Sequence, residues 1–159
     1  MYRIILADYA DPTHRDAVVE ILDAYARDPM GGGEPLPEFT RRHLLDEMAR
    51  RPNMFSLLAF IDDRPVGLAN CIEGFSTFAA RPLLNIHDLA VLPGYRGRGV
   101  GRALLAEIES IARTRGCCKV TLEVLQGNHA ARTAYLNFGF KPYMLGDTLG
   151  NAEFWHKHL

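Results

Sequence analysis

The sequence predicts an α/β (α+β) fold, a mixed and mostly antiparallel central sheet of about seven strands flanked by about four helices. Three observations predict it. Apolar residues recur at strand spacing and at helical spacing in the order strand, two helices, three strands, helix, strand, helix, two strands. A glycine- and arginine-rich turn joins the fourth strand to the most regular helical pattern. A length of 159 residues, 48% hydrophobic and 23% charged, supplies one core, so residues 1–159 read as a single domain.

The opening run Met1-Tyr-Arg-Ile-Ile-Leu gives the first strand. Asp11 is placed as an N-cap with Pro12 behind it, and Val18, Ile21, Leu22 and Tyr25 share one helical face. The stretch from Asp28 to Pro37 is rich in Gly and Pro and reads as a mobile loop suited to a substrate entrance. A second helix starts near Pro37, carries Leu44, Leu45 and Met48 inward, and ends before Pro52. Residues 54–61 and 66–72 form a hairpin around the Asp62-Asp63-Arg64-Pro65 turn. Residues 73–82 read as irregular, and 83–92 as another strand. Gly101, Leu104, Leu105, Ile108 and Ala112 mark the third helix, which Gly116 stops. Residues 119–125 are a strand, 128–138 a short helix, and 140–145 with 152–158 a closing strand pair.

Composition narrows the function. Eighteen Lys+Arg against nineteen Asp+Glu leave a net charge of −1, which gives no global hold on nucleic acid or an anionic membrane. No apolar run approaches the roughly 20 residues of a membrane helix, and no secretory signal is visible at the start. The three cysteines form no disulfide framework, so the expected setting is cytoplasmic. His156 and His158 lack a third ligand, and no metal is expected.

The chemistry concentrates at Arg96-Gly-Arg-Gly-Val-Gly-Arg102. Glycines permit positive φ and close backbone approach, and a helix N-terminus presents unpaired N–H groups and the positive end of its dipole. With Arg96, Arg98 and Arg102 beside it, the turn suits a diphosphate. A P-loop would need Gly-Lys-Ser/Thr where the chain has Gly101-Arg102-Ala103, and a Rossmann fingerprint would need Gly or Ala at Arg102. The pattern Arg-x-x-Gly-x-Gly at 96–101 fits in full.

The run from Leu89 to Leu105 resembles the acetyl-CoA-binding motif of the Gcn5-related N-acetyltransferases (GNAT), and Asn128-His-Ala-Ala-Arg-Thr-Ala-Tyr135 with Phe138-Gly-Phe140 resembles that family's second motif. The resemblance implies a sheet splayed between its fourth and fifth strands, where the backbone of Leu89, Ala90 and Val91 takes the pantetheine arm. It implies that Arg96, Gly97, Arg98, Gly99, Val100, Gly101 and Arg102 hold the pyrophosphate, that Asn128 and Ala131 contact the cofactor, and that Tyr135 protonates the leaving thiolate. Asn128 equally suits an N-cap; spacing alone would place Tyr135 in the core beside Ala131 and Phe138, and the motif match favours the acid. A homodimer paired through the C-terminal strands is also implied.

Acetyl transfer needs a neutral amine, hence a base. His87 is the first candidate, sharing strand parity with Asn85 and Leu89; Asp88 then faces the other way unless a bulge intervenes, and Glu73 is the remaining candidate. The acceptor is expected between the 28–37 and 73–82 segments, where Asp28, Glu34, Glu38 and Glu73 favour a cation and Phe75 and Phe78 supply apolar wall. The expected activity is acetyl-CoA-dependent N-acetylation of a primary amine on a small molecule or peptide. The alternatives are a non-catalytic acyl-CoA-binding module and a protein N-terminal or lysine acetyltransferase.

Overall fold

The computed structural model describes residues 2–159. The chain forms two compact units, Met1–Leu122 and Glu123–Leu159. The first contains β1 (Tyr2–Leu6), α1 (Pro12–Arg27), α2 (Glu38–Ala49), β2 (Met54–Ile61), β3 (Arg64–Ser76), β4 (Arg81–Val91), α3 (Val100–Thr114) and β5 (Val120–Leu122). The strands lie in the order β1-β2-β3-β4-β5, antiparallel except for the parallel β4–β5 pair. That pairing covers only Leu84–Ile86 of β4, so the two strands part beyond it, as the splay requires.

Alternation along the strands sorts the core into two layers. Leu58, Phe60, Leu68 and Ala90 face α1 and α2, packing on Ala17, Val18, Ile21, Leu45 and Met48. Gly67 faces α3 on the other side, next to Val100 and Leu104. Asp11 caps α1 by accepting from the N–H groups of Thr13 (2.7 Å) and His14 (3.4 Å), with Pro12 at the first helical position. α3 buries Val100, Leu104, Leu105, Ile108 and Ala112 as a single stripe. At roughly 1.5–3 kcal/mol per fully buried aliphatic side chain, these layers outweigh surface ion pairs such as Arg113–Glu109, worth about 0.3–0.5 kcal/mol each.

The second unit holds α4 (His129–Phe138) and a tail joined to itself by one isolated bridge, Met144 with Asn151. The expected closing strand pair is therefore absent among the described residues, and the sheet has five strands rather than about seven. Gly146 and Gly150 turn the tail through left-handed backbone, and a lone two-stranded ribbon is marginal without a sheet to join. Two other boundaries differ. The segment read as irregular is mostly strand, because Glu73–Ser76 pairs with Arg81–Leu84 and lengthens the β3–β4 hairpin. β5 is only three residues long against the seven expected at 119–125.

Candidate active site

The turn into α3 is built as the glycines suggested, with one refinement. Gly97 (φ 74°) and Gly99 (φ 84°) adopt left-handed backbone, whereas Gly101 lies within α3 and would tolerate a Cβ, 3.9 Å from Val91. Gly99 occupies the N-cap and so offers no side chain to the first N–H groups of α3. With no acidic residue in the first turn, this helix mouth keeps its affinity for an anion. The three arginines are not equivalent. Arg98 lies over the Tyr95 ring, 5.4 Å from its centroid. Arg96 turns back, donating from Nε to the Val91 carbonyl (2.9 Å) and from its terminal nitrogen to Asp28 (2.9 Å).

That last contact ties the turn to the α1–α2 connection, which is far better held than its Gly and Pro content suggested. Pro29–Gly31 form a 3-10 turn whose cap, Asp28, accepts from the Met30 N–H (2.9 Å). That N–H and the Arg96 guanidinium hold the Asp28 carboxyl below its ordinary value. Asp23, buried on α1, accepts from Arg27 (2.8 Å), Arg41 of α2 (2.9 Å) and the Leu36 N–H (2.9 Å). These donors, Arg27 foremost, lower its pKa to about 2. The Asp23–Arg41 and Asp28–Arg96 contacts were not legible from the sequence, since each joins residues on different elements.

β4 carries the decisive irregularity. Asn70 pairs with Asp88 while the next residue, Cys71, pairs with Ile86, so His87 has no partner opposite it on β3. This bulge breaks the alternation expected of the strand. Asp88 and Ala90 therefore face the α1 layer together, and His87 is exposed. Asp88 is half-buried and accepts from Asn70 Nδ2 (2.9 Å); Asn70 Oδ1 accepts from the Ser56 hydroxyl (2.6 Å), which lies 2.7 Å from the Tyr9 hydroxyl. Burial, the largest influence on Tyr9, raises its pKa. Nearby, Tyr25 is also raised, by burial first and then by the charges of Asp88 and Asp28. Tyr25, Ile21, Ala24, Ala90, Val91 and Arg96 line a shallow cleft between α1 and the end of β4.

Glu73 sits on the opposite face of the sheet, paired with Arg115 (3.0 Å), whose guanidinium lies 4.5 Å from the centroid of the Phe55 ring. Cys71, buried on that same face, has its thiol pushed up to about 12 by burial and is inert as a nucleophile. Phe75 and Phe78 are both exposed. The backbone of Leu89, Ala90 and Val91 lies on the part of β4 that β5 does not cover.

In the second unit, Asn128 caps α4, its Oδ1 accepting from the Ala131 N–H (3.2 Å). Tyr135 is half-buried, its ring edge-on to Phe140 at 5.8 Å. Among the described residues no group of three or more His, Cys, Asp or Glu is placed to hold a metal ion, and no helix is long and apolar enough to cross a membrane.

The acetyltransferase (GNAT) family profile matches residues 16–140, and the chain belongs to that family. Streptothricin acetyltransferase of Streptomyces lavendulae is 38% identical over 78 residues, 47% of this chain and 41% of that protein. Thialysine N-ε-acetyltransferase of Bos taurus is 32% identical over 91 residues, 57% of this chain and 49% of that one. Glucosamine 6-phosphate N-acetyltransferase of Trypanosoma brucei brucei is 35% identical over 81 residues, 50% of this chain and 53% of that one. The match thus spans about half the length of these curated relatives. Among solved structures, a probable acetyltransferase superposes with a TM-score of 0.78 at 23% identity, covering 96% of this chain and 99% of that one. AAC(6')-Iy with the bisubstrate analogue CoA-S-monomethyl-acetylneamine gives 0.74 at 18%, covering 100% and 99%. At these identities the likeness establishes the GNAT fold.

Proposed function

We propose that residues 1–159 act as one N-acetyltransferase domain that moves the acetyl group of acetyl-CoA to a primary amine. The observation that carries this reading is the helix mouth at Gly97–Arg102, where left-handed glycines and the absence of a capping side chain leave N–H groups directed at an incoming anion. The diphosphate of coenzyme A is the ligand that fits it. The uncovered edge of β4 at Leu89–Val91 is suited to hydrogen-bond the pantetheine amides, with Asn128 and Ala131 as further contacts by resemblance to the family.

In this reading the amine lone pair attacks the thioester carbonyl, forming the C–N bond and an oxyanion. Collapse breaks the C–S bond, and the thiolate leaves with a proton from the Tyr135 hydroxyl. The proton lost by the amine passes to Asp88, directly or through one water. What favours Asp88 over the other candidates is its half-buried position beside the α1 cleft, whereas His87 is exposed and Glu73 is paired with Arg115 on the other face. A carboxylate beside a cleft lined by Ile21, Ala24 and Tyr25 suits a cationic amine on a small molecule, and the names of the curated relatives agree with that class. Pairing into a homodimer in the cytoplasm belongs to the same proposal.

Thiol release from acetyl-CoA tests it, using lysine, thialysine, glucosamine, spermidine and kanamycin as the amine panel. Turnover with at least one member is expected. Tight acetyl-CoA binding with no thiol release for any of them, unchanged in Tyr135→Phe, would point to a non-catalytic binding module instead.

A further inference from the structure

Three polar side chains behind Asp88 take no part in the reaction as described. Asn70 is 2% exposed and Ser56 0% exposed, in the middle of two strands whose neighbours are otherwise apolar. Polar groups so placed cost stability unless every one is satisfied. Here each is, and the pattern has only one consistent direction. An ionised carboxylate can only accept, so Asn70 must turn its amide nitrogen to Asp88, at 2.9 Å. Its oxygen then faces Ser56 (2.6 Å) and can only accept, so the Ser56 hydroxyl must donate. The Ser56 oxygen in turn accepts from the Tyr9 hydroxyl at 2.7 Å. The relay starts at Tyr9, next to α1, and crosses β2 and β3 to end on β4.

We propose that Asn70, locked by Ser56 and Tyr9, is a positioning residue that fixes the Asp88 carboxylate on the α1 face of the sheet, two residues before the cleft-lining Ala90, for the acetyl transfer. The bulge at His87 makes this possible, because it brings Asp88 onto the face that Asn70 and Ser56 share. Asn70 fixes one carboxylate oxygen, Oδ2, and leaves Oδ1 to meet the incoming amine or its water. Burial of Tyr9 keeps its hydroxyl protonated, so the relay retains its direction over the whole neutral range.

The inference rests on Asp88 as the base, and its test separates the two. Asn70→Leu is expected to lower kcat by about 10- to 100-fold, as small misplacements of a catalytic group do, with KM for acetyl-CoA within about twofold of wild type. Ser56→Ala, the milder variant, should fall between them and guards against a folding failure in Asn70→Leu. In an Asp88→Asn background, Asn70→Leu should cost nothing further, since no carboxylate remains to be positioned. The side-chain amide resonance of Asn70 should also shift in Asp88→Ala, an NMR readout that needs no substrate. Full loss in Asp88→Asn with additive or absent effects of Asn70→Leu overturns the positioning role alone. Full turnover in Asp88→Asn, scored on the panel amine that wild type uses fastest, sinks the base assignment and the positioning role with it.

Discussion

Val100, the first residue of α3, rests on β3 at Gly67: a Cβ at that glycine would stand 2.9 Å from Val100 Cγ1 and 3.2 Å from both Ala59 Cβ and Leu104 Cδ1. The mouth of α3, the proposed diphosphate site, is therefore seated directly on the sheet. Gly67→Ala should push the helix start outward, costing about 1–3 kcal/mol of stability and weakening acetyl-CoA binding. Calorimetric titration alongside thermal melts checks this, and a stability loss with unchanged affinity would break the link between seat and site.

Gly99→Val places a β-branched residue at φ 84° and adds bulk 3.4 Å from the Tyr2 hydroxyl, on the approach proposed for the diphosphate. Acetyl-CoA affinity should fall by at least about tenfold, with far-ultraviolet circular dichroism preserved. Retained affinity would remove the turn from the cofactor site.

Gly31→Ala is the sharpest test of the α1–α2 connection. Its Cβ would overlap the Tyr25 carbonyl group, which is backbone and cannot swing aside as a flexible side chain could. The 3-10 turn must shift, carrying Asp28 away from Arg96. A raised KM for the amine with little change in kcat is expected from steady-state kinetics.

Asp23 gives a pH dependence. Its folded value of about 2 lies below the 3.8 of the free carboxyl, so its stabilisation is complete above about pH 4 and fades as the pH falls towards 2. Asp23→Ala should cost about 2 kcal/mol at pH 7, because two guanidinium contacts and the bond from the Leu36 N–H go together. Urea unfolding at pH 7 and again near pH 3 should show the gap between variant and wild type closing at the lower pH.

Tyr135→Phe should lower turnover at least about tenfold while acetyl-CoA affinity stays put, the signature of a lost acid. A drop in melting temperature with turnover intact would assign Tyr135 to packing against Phe140 instead.

What the sequence disclosed was local. Asp11 and Pro12 announced α1, Gly116 closed α3, and the arginines and glycines of 96–102 marked the helix mouth, because each signal acts within a few neighbouring residues. What it withheld depended on register. Nothing in the alternation from Leu83 to Val91 reveals that His87 is the surplus residue, since the bulge exists only relative to β3. The Ser56–Asn70 and Asn70–Asp88 contacts join residues 14 and 18 positions apart, and Arg96 reaches Asp28 across 68. Glu73–Ser76 read as irregular because Gly74 and the polar residues around it weaken any strand signal, and pairing with β4 overrides that weakness.

Because His87 has no opposite number on β3, the halves of β4 on either side of it obey different counts. Deleting that one residue would either swing Asp88 out among the α3 side chains or turn Leu84 and Ile86 away from them, and neither half would keep its neighbours. The strand behaves as a ratchet: this stretch can change by exchanging one side chain for another, but not by gaining or shedding length.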